Sequence, residues 1–563
     1  MKRKLHQMVW LSFLAAACSG TGNEPKVKPC TGANSVGMGA LAVGGYASTF
    51  PGVDGCVSFP ANATADTIEY LVVAQSAAAD PNQSAHFLLS GDTVQTQTTY
   101  ASWFQAEARA SENLGDQFHT FLRESEEARA YVPGLLKQGP PALQSNLVQP
   151  PQVGDLRTFS VCRNLICNAF DRVRAIVKAV GTHAAIFVDT ISANQLNQAD
   201  FDSLEAVFDN RIYALDTLAF GAESDVDANG IVIVLMTPTI NRLVTASQCT
   251  TQGFVSGYFF GADLDPLNSQ NTNYNQSELF YTLVPDATGQ FSCAHDAAQV
   301  RRILPITFVH EFQHMISFNQ HVLTRGGATE VLWLNEAMSH YAEELGGRSY
   351  LPGDSTTFSN YLKGNVYNGY QYLDNTGATF LVATAGNGSL AERGSGWLFV
   401  RYVIDQLATS NTVGAWNAVT RQLVRTASTG ATNVQARTGQ PFDQTVAKWA
   451  LALWVSDMTT ADGAAASFTP PPELRYKSWA FRTTYASLHT QTPGVFVHAY
   501  PLIPGTALGP DVNLGGTLRS GSGVYQRVQH PPGKPSFTLQ LAGTEGAKLP
   551  TILAPRITAI RVR

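Results

Sequence analysis

The chain has 563 residues, of which 44% are hydrophobic and 14% are charged, and its formal net charge is -6 at pH 7. This length exceeds the roughly 250–300 residues at which single cores stop growing, so several domains are expected. The composition excludes a disordered chain, the acidic balance gives no basis for a nucleic-acid partner, and no internal apolar run of about 20 residues predicts a membrane span.

The amino terminus has the pattern of an export signal. Basic residues at positions 2–4 precede a mainly apolar stretch, Met8 to Ala17, that is too short to span a bilayer as a mature helix. We therefore predict a signal peptide at 1–17. The following Cys18 resembles the modified cysteine of a bacterial lipobox, with Ala15 where leucine is usual.

Lipidation of Cys18 would place the protein in the cell envelope, at the outer membrane or the cell surface. Its contact with a membrane would then be through the lipid anchor only. If the lipobox is not used, the protein would be secreted. A polar linker at 18–29 would join the anchor to the first domain.

The cysteines agree with export. Without Cys18, six of the seven cysteines remain, an even number that suits an oxidising compartment. Six cysteines allow 15 connectivities. Sequence proximity favours Cys30 with Cys56, Cys162 with Cys167, and Cys249 with Cys293. A zinc knuckle is the competing interpretation, but the spacings do not form paired C-x-x-C units.

The first domain is predicted at 30–135. Short apolar runs broken by turn residues up to about residue 100 predict a small β-sandwich. Residues 104–130 are rich in alanine, glutamate and arginine, which predicts a charged helical segment. A proline-rich stretch at 139–151 then marks a domain boundary.

A central domain is predicted at 153–465, because strand and helix patterns alternate there. The strands include 158–162, 184–188 and 231–236, and a helix is predicted over 197–218. Further strands are predicted at 254–261 and 278–283, and either is a candidate for a sheet edge that pairs with an extended substrate. After prolines at 470–472, short β-like runs from Phe481 onward predict a C-terminal β-sandwich at 474–563.

The segment Asp225 to Gly230 matches the opening of an EF-hand calcium loop. The twelfth position of such a loop should be a bidentate glutamate, but Met236 stands there. A turn before the strand is therefore the prediction. A calcium site is an alternative that nothing else in the sequence supports.

The segment from Phe308 to His314 holds two potential metal ligands and an acid. On a helix, His310 and His314 share a face with Cβ atoms roughly 5–6 Å apart, so both imidazoles can converge on one zinc ion. Glu311 is rotated by about 100° from His310 and flanks the metal. It can therefore take the proton of a metal-bound water.

A second predicted helix supplies a third ligand. Pro305 predicts the start of the motif helix, and Glu330 to Leu345 predicts the next one. The latter carries Glu336, 22 residues after His314, which leaves room for a turn and a return. Two histidines and one carboxylate leave a fourth zinc position for water. Three other residues are alternative ligands or helix-surface groups: His321, His340 and Glu343.

These residues give the chain a family resemblance. The sequence HEFQH at 310–314 with Asn-Glu-Ala-x-Ser at 335–339 is similar to thermolysin, and Trp-Leu-Asn-Glu followed by Tyr-x-Glu is similar to the aminopeptidase-N group. Both are gluzincins, and the wider pattern looks most like the hyicolysin family of bacterial peptidases. The resemblance covers about residues 150 to 460. It departs from thermolysin at His340, where thermolysin has an acid that orients a ligand histidine.

The resemblance implies a zinc metalloendopeptidase that acts on peptides or proteins. One zinc ion would be bound by His310, His314 and Glu336, with Glu311 as the general base. The implied fold is multidomain α+β: a gluzincin-type domain with a mixed sheet and a helical lobe, flanked by N- and C-terminal β-sandwich-like domains. Candidates for facing the oxyanion are Tyr361, Tyr367, Tyr370, Tyr372 and Tyr402. The alternative function is a non-catalytic binding or adhesion lipoprotein with a degenerate peptidase domain.

Overall fold

The computed structural model describes residues 25–94, 113–130, 149–192, 195–383 and 389–563. The predicted signal peptide, Cys18 and the first part of the predicted linker lie outside these ranges. The strands are β1 Val36–Gly37, β2 Tyr46–Thr49, β3 Cys56–Phe59, β4 Ile68–Ser76, β5 Ser84–Gly91, β6 Leu156–Cys162, β7 Phe170–Val180, β8 Ala184–Asp189, β9 Val232–Met236, β10 Gly257–Phe259, β11 Leu279–Thr282, β12 Gly505–Leu508, β13 Asn513–Arg519, β14 Gly523–His530, β15 Phe537–Gly543 and β16 Pro555–Arg561.

The helices are α1 Leu114–Ala130, α2 Gln198–Val207, α3 Tyr213–Phe220, α4 Pro238–Asn241, α5 Ala246–Gln252, α6 Ala297–Phe318, α7 Leu332–Arg348, α8 Ser355–Asp374, α9 Leu390–Leu407, α10 Val413–Val424, α11 Gly430–Thr438, α12 Phe442–Val455 and α13 Phe481–Gln491. Two π-helical turns, Phe208–Ile212 and Asn319–Leu323, follow α2 and α6. None of the helices within the described ranges combines the length and hydrophobicity needed to cross a membrane.

Strands from both ends of the chain form one β-sandwich. Its sheets have the strand orders β1-β3-β15-β5-β13 and β12-β14-β4-β16-β2. Strand β4 lies between β14 and β16 and is antiparallel to both, so its two neighbours both come from the carboxyl end. This differs from the prediction of two separate β domains. Apolar alternation identifies strands, but it does not specify which distant strands pair.

Strand β4 also joins the sandwich to the central domain. Tyr70 and Val72 face the core between the two sheets, whereas Leu71 and Val73 belong to the large core of the central domain. Successive side chains of a strand point to opposite faces. Because both faces of β4 are covered by a core, every residue of β4 is buried. The sandwich therefore packs directly on the central domain.

Replacing Leu539 of β15 with alanine is expected to lower the free energy of unfolding by about 2–5 kcal/mol. Its side chain is fully buried between the sheets, so the substitution leaves a cavity. Urea unfolding measures the change. The control is Ile552→Ala at a residue that is 50% exposed, with an expected change within about 0.5 kcal/mol. Equal destabilisation by both variants would contradict the assignment of Leu539 to this core.

A six-stranded mixed sheet with the order β10-β11-β9-β8-β7-β6 lies in the central domain. Strands β8, β9 and β11 are parallel neighbours, and their continuous apolar runs suit a sheet that is covered on both faces. Strand β10 is at the edge and pairs antiparallel with β11. Part of the predicted strand at 254–261 therefore forms the sheet edge.

Helix α6 is buried on all sides from Thr307 to Phe318. It packs on the edge of the sheet and on helix α7. Its amino end is capped by Asp296, whose side chain accepts a hydrogen bond from the Gln299 N–H at 2.7 Å. The prediction that Pro305 begins this helix is wrong, since Pro305 lies within it. A proline removes one backbone donor, but a buried helix held by tertiary packing can continue through it.

The segment Phe481 to Gln491, predicted as β structure, is helix α13. Phe481 and Tyr485 lie four residues apart on one helical face and are both buried. Phe481 packs edge-on against Trp397 with ring centroids 5.7 Å apart. The β strands of the carboxyl end begin only at Gly505.

The structure contains the three disulfide bonds that sequence proximity favoured. Their Cα–Cα distances are 5.6 Å for Cys30–Cys56, 4.9 Å for Cys162–Cys167 and 5.9 Å for Cys249–Cys293. Cys249 is therefore committed to a disulfide bond, although it lies near His295 in a group that could otherwise hold a metal ion.

Candidate metal centre

Two histidines of helix α6 point their Nε2 atoms at a common position. The Nδ1 atom of His310 is hydrogen-bonded to Glu343 Oε1 at 2.7 Å, and that of His314 lies 2.9 Å from Asn335 Oδ1. Each contact fixes its ring and assigns the Nδ1 proton, which leaves Nε2 as the lone-pair donor. The two Nε2 atoms are 3.1 Å apart.

Glu336 of helix α7 completes a three-residue cluster. Its carboxylate oxygens lie 3.5 Å from His310 Nε2 and 3.6 Å from His314 Nε2. A tetrahedral zinc with ligands at about 2.0–2.1 Å has ligand-to-ligand distances of roughly 3.3–3.4 Å. Glu336 Oε1 is buried and has no hydrogen-bond partner among the described residues. The donor set and its spacing therefore fit one zinc ion.

Glu343 supplies the carboxylate that orients a ligand histidine, since position 340, where an acid was expected, is His340. Its Oε1 contacts the Nδ1 atom of His310, and its Oε2 lies 3.2 Å from the Nδ1 atom of His340. Burial opposes the charged carboxylate, but His340 and His310 lower the pKa of Glu343 to about 2. A carboxylate one turn beyond His340 thus fixes the ring of His310.

Replacing Glu343 with alanine is expected to weaken metal binding by about 10–100-fold, because a ligand histidine loses the partner that orients it. Competition with a chromogenic zinc chelator measures the affinity. Glu343→Gln keeps an oxygen acceptor at the same position, so its loss is expected to be smaller. Unchanged affinity in Glu343→Ala would contradict this orienting role.

Glu311 lies beside the cluster with its two oxygens in different environments. Oε2 accepts a hydrogen bond from the Phe259 N–H of edge strand β10 at 2.7 Å, whereas Oε1 points toward the cluster. Burial raises the pKa of Glu311 to about 7, and the nearby His310 and Arg123 oppose that rise. The carboxylate is thus fixed at one oxygen and free at the other.

Arg393 of helix α9 is a cationic group at the site that the sequence did not point to. Its Nη1 contacts Glu336 Oε2, and its Nε lies 3.7 Å from Asp116 Oδ1. Burial alone would raise the pKa of Glu336, but Arg393 and the two histidines hold that pKa well below its usual value. Glu336 is therefore kept as a carboxylate.

His119 of helix α1 is the second residue that the sequence did not indicate. Its Nε2 lies 3.8 Å from Glu311 Oε1, and its Nδ1 lies 4.0 Å from Glu336 Oε1. Ligand atoms of His119, His310, His314 and Glu336 all lie within 4.8 Å of one another. Nothing in the local sequence separates this histidine from an ordinary helix residue, because helix α1 reaches the site only through the tertiary fold.

A cavity of about 250 Å³ opens onto the cluster. His340 and Arg393 are among the polar side chains that line it. Within the described residues no tyrosine lines this cavity. The tyrosines that are candidates for facing the oxyanion make other contacts: Tyr372 stacks on Trp449, for example, and the Tyr402 hydroxyl donates to the Glu473 carbonyl.

Two other predicted groups lie away from the centre. His321 has its Nε2 atom 3.8 Å from Glu330 Oε2 and is not part of the cluster. Asp225 and Asp227 of the calcium-like loop lie beside Glu278, with ligand oxygens within 4.8 Å of one another. Glu278 is distant in sequence and does not occupy the twelfth loop position, so the loop pattern does not indicate it. Asp227 also faces Arg157 at 3.9 Å.

The fold and the site define a mixed α+β protein with a histidine and carboxylate centre that can hold a metal ion. No protein-family model matches the chain. The chain is similar to the neutral metalloprotease ShpI of Staphylococcus hyicus, with 26% identity over 201 residues. The match covers 36% of this chain and 42% of the length of that protein. This distant relationship supports a metallopeptidase.

Proposed function

We propose that this protein is a zinc metalloendopeptidase of the gluzincin type, similar to the hyicolysin family. The observation that carries the proposal is the convergence of His310, His314 and Glu336 on one position beside the buried Glu311. The similarity to a neutral metalloprotease agrees with it. When bound, zinc would supply a Lewis acid that polarises a carbonyl group and lowers the pKa of water.

Glu311 is the proposed general base. The Phe259 N–H holds Oε2, so Oε1 is the atom available to accept a proton from the attacking water. The same atom can later return that proton to the leaving amine. His340 and Arg393, which line the cavity, are the proposed groups that face the oxyanion, because both side chains carry N–H groups.

Edge strand β10 is the proposed binding surface for the substrate backbone. The N–H and carbonyl groups of Phe259 both face away from β11. The N–H is bonded to Glu311, so the carbonyl is the group of this residue that a substrate could pair with, in place of Arg123. An extended peptide can add to such an edge through main-chain hydrogen bonds, which recognise a peptide independently of its sequence. This favours peptides and proteins as the substrates.

The test is zinc stoichiometry measured beside cleavage of a peptide library, with products identified by mass spectrometry. It is run on the parent chain and on His119→Ala, because His119 lies within the cluster but outside the proposed ligand set. Zinc-dependent internal cleavage in either chain supports the proposal. Bound zinc without any peptide product in both chains would contradict it and favour the non-catalytic binding protein.

We also propose that the protein is exported and anchored through Cys18. Three disulfide bonds within the described residues suit an oxidising compartment. Mass spectrometry of the mature amino terminus tests this. A diacylglyceryl-modified Cys18 is the expected result, and an unmodified terminus elsewhere would contradict the anchor.

A further inference from the structure

Helix α1 lies across the candidate metal centre, although it is distant in sequence from the residues that form the centre. It carries His119 into the cluster, and its apolar residues Phe118 and Leu122 are fully buried beneath it. The Phe118 ring packs edge-on against Tyr258 of strand β10 at 5.0 Å between centroids. The helix is therefore anchored to the same edge strand that borders the site.

The imidazole of His119 lies beside the three proposed ligands, with its ligand atom within 4.8 Å of theirs. Its side chain is 13% exposed, and its Nδ1 atom has no hydrogen-bond partner among the described residues. A buried polar atom without a partner requires an explanation. Both ring nitrogens of His119 lie about 4 Å from carboxylate oxygens of the centre. A metal ion bound between the imidazole and the carboxylates would give one ring nitrogen a partner.

Helix α1 also uses the backbone groups that a substrate would need. Arg123 Nη2 donates to the Phe259 carbonyl at 2.6 Å, and Glu126 Oε1 accepts from the Gly261 N–H at 2.6 Å. Phe259 belongs to edge strand β10, and Gly261 follows it. Two outward-facing hydrogen-bonding groups of this edge are therefore already paired with side chains of the helix.

Contacts on the opposite side hold the amino end of the helix. Arg393 Nη2 donates to the Asp116 carbonyl at 3.4 Å, and the same arginine contacts Glu336. A Cβ atom on Gly115 would lie 2.7 Å from the Phe254 carbonyl, so a glycine is needed for this close approach. The helix is thus bound on both sides of the centre.

We propose that His119 is a fourth protein ligand of the metal ion and that helix α1 is a built-in plug of the site. A zinc site with four protein ligands is closed, whereas a catalytic site keeps one position for water or substrate. The plug therefore occupies both the open coordination position and part of the substrate edge. The inhibitory consequence rests on the proposed peptidase function, but the ligand assignment does not.

The ligand assignment is tested with the cobalt-substituted protein and acetohydroxamate, a small chelating anion that binds an open metal position. His119→Ala is expected to change the visible cobalt spectrum and to bind acetohydroxamate more tightly than the parent. The difference would be on the order of 100-fold if the parent is open about 1% of the time. The matched control is Gln117→Ala, because Gln117 lies about 200° around the helix from His119.

Identical cobalt spectra and equal acetohydroxamate affinities in the parent and His119→Ala would overturn the proposal. His119→Asn serves as a second variant if the alanine variant unfolds, and the same comparison applies to it. Peptide cleavage is measured in parallel and is expected to rise in the His119 variants only. An altered spectrum without peptide cleavage would retain His119 as a ligand and reject the peptidase function. Equal peptide cleavage by the parent and the His119 variants, with unchanged cobalt spectra, would support the peptidase function and reject the proposed plug.

Discussion

Glu311→Gln is expected to lower peptide cleavage by about 10²–10⁴-fold while zinc remains bound. The amide has nearly the shape of the carboxylate, and its oxygen can still accept the Phe259 N–H. It cannot, however, accept a proton at the second position. The measurement is the rate of cleavage of one mapped library peptide, made in a His119→Ala background so that the plug does not mask the effect.

The zinc content of Glu311→Gln should equal that of the His119→Ala chain in which it is made. Lower cleavage at equal zinc content would then come from loss of the general base and not from loss of the metal. Glu205→Gln on helix α2 is the matched control, since it makes the same chemical change outside the metal cluster. Full zinc-dependent cleavage by Glu311→Gln would reject Glu311 as the general base.

Glu336→Ala is expected to weaken zinc binding by more than about 100-fold, because loss of a direct ligand should exceed the 10–100-fold cost of losing an outer partner. Peptide cleavage should be lost with the metal. Chelator competition measures the affinity, and zinc should no longer raise the melting temperature, since only a ligand that binds the native state stabilises it.

Arg393 affects the interpretation of Glu336→Ala, and a substitution of Arg393 provides the control. Without Glu336 its buried guanidinium loses one partner, and breaking a buried ion pair costs about 3–5 kcal/mol. Arg393→Met leaves all the proposed ligands in place and is expected to retain zinc. The double variant Glu336→Ala/Arg393→Met has no unpaired arginine at this position. Weak zinc binding by the double variant would therefore still assign the loss of affinity to the missing ligand. A zinc affinity of Glu336→Ala equal to that of the parent would reject Glu336 as a ligand.

The core of the site was predictable because its geometry is local. Helical spacing alone places His310 and His314 on one face, and two consecutive helices with a short connection bring Glu336 back to them. His119 and Arg393 were not predictable in this way. Their approach depends on how distant helices pack, and neither residue has a neighbour in sequence that suggests a metal centre.

The same distinction applies to the fold. The buried strands of the central sheet were found from their continuous apolar runs, as in Val232 to Met236. The pairing of β4 with β14 and β16 was not found, since it depends on contacts across most of the chain. Helix α13 was missed because its few apolar residues, flanked by prolines and glycines, also fit short strands.

The interleaved sandwich sets an order of events during synthesis. Strand β4 has neighbours only from the carboxyl end, and β5 pairs with β13 and β15 in the other sheet. The first hundred residues therefore cannot complete their sheets until the last residues have emerged. Contacts of such long sequence separation fold slowly. A nascent chain would thus stay incompletely folded until the strands between Gly505 and Arg561 have been synthesised, which is compatible with threading through an export channel.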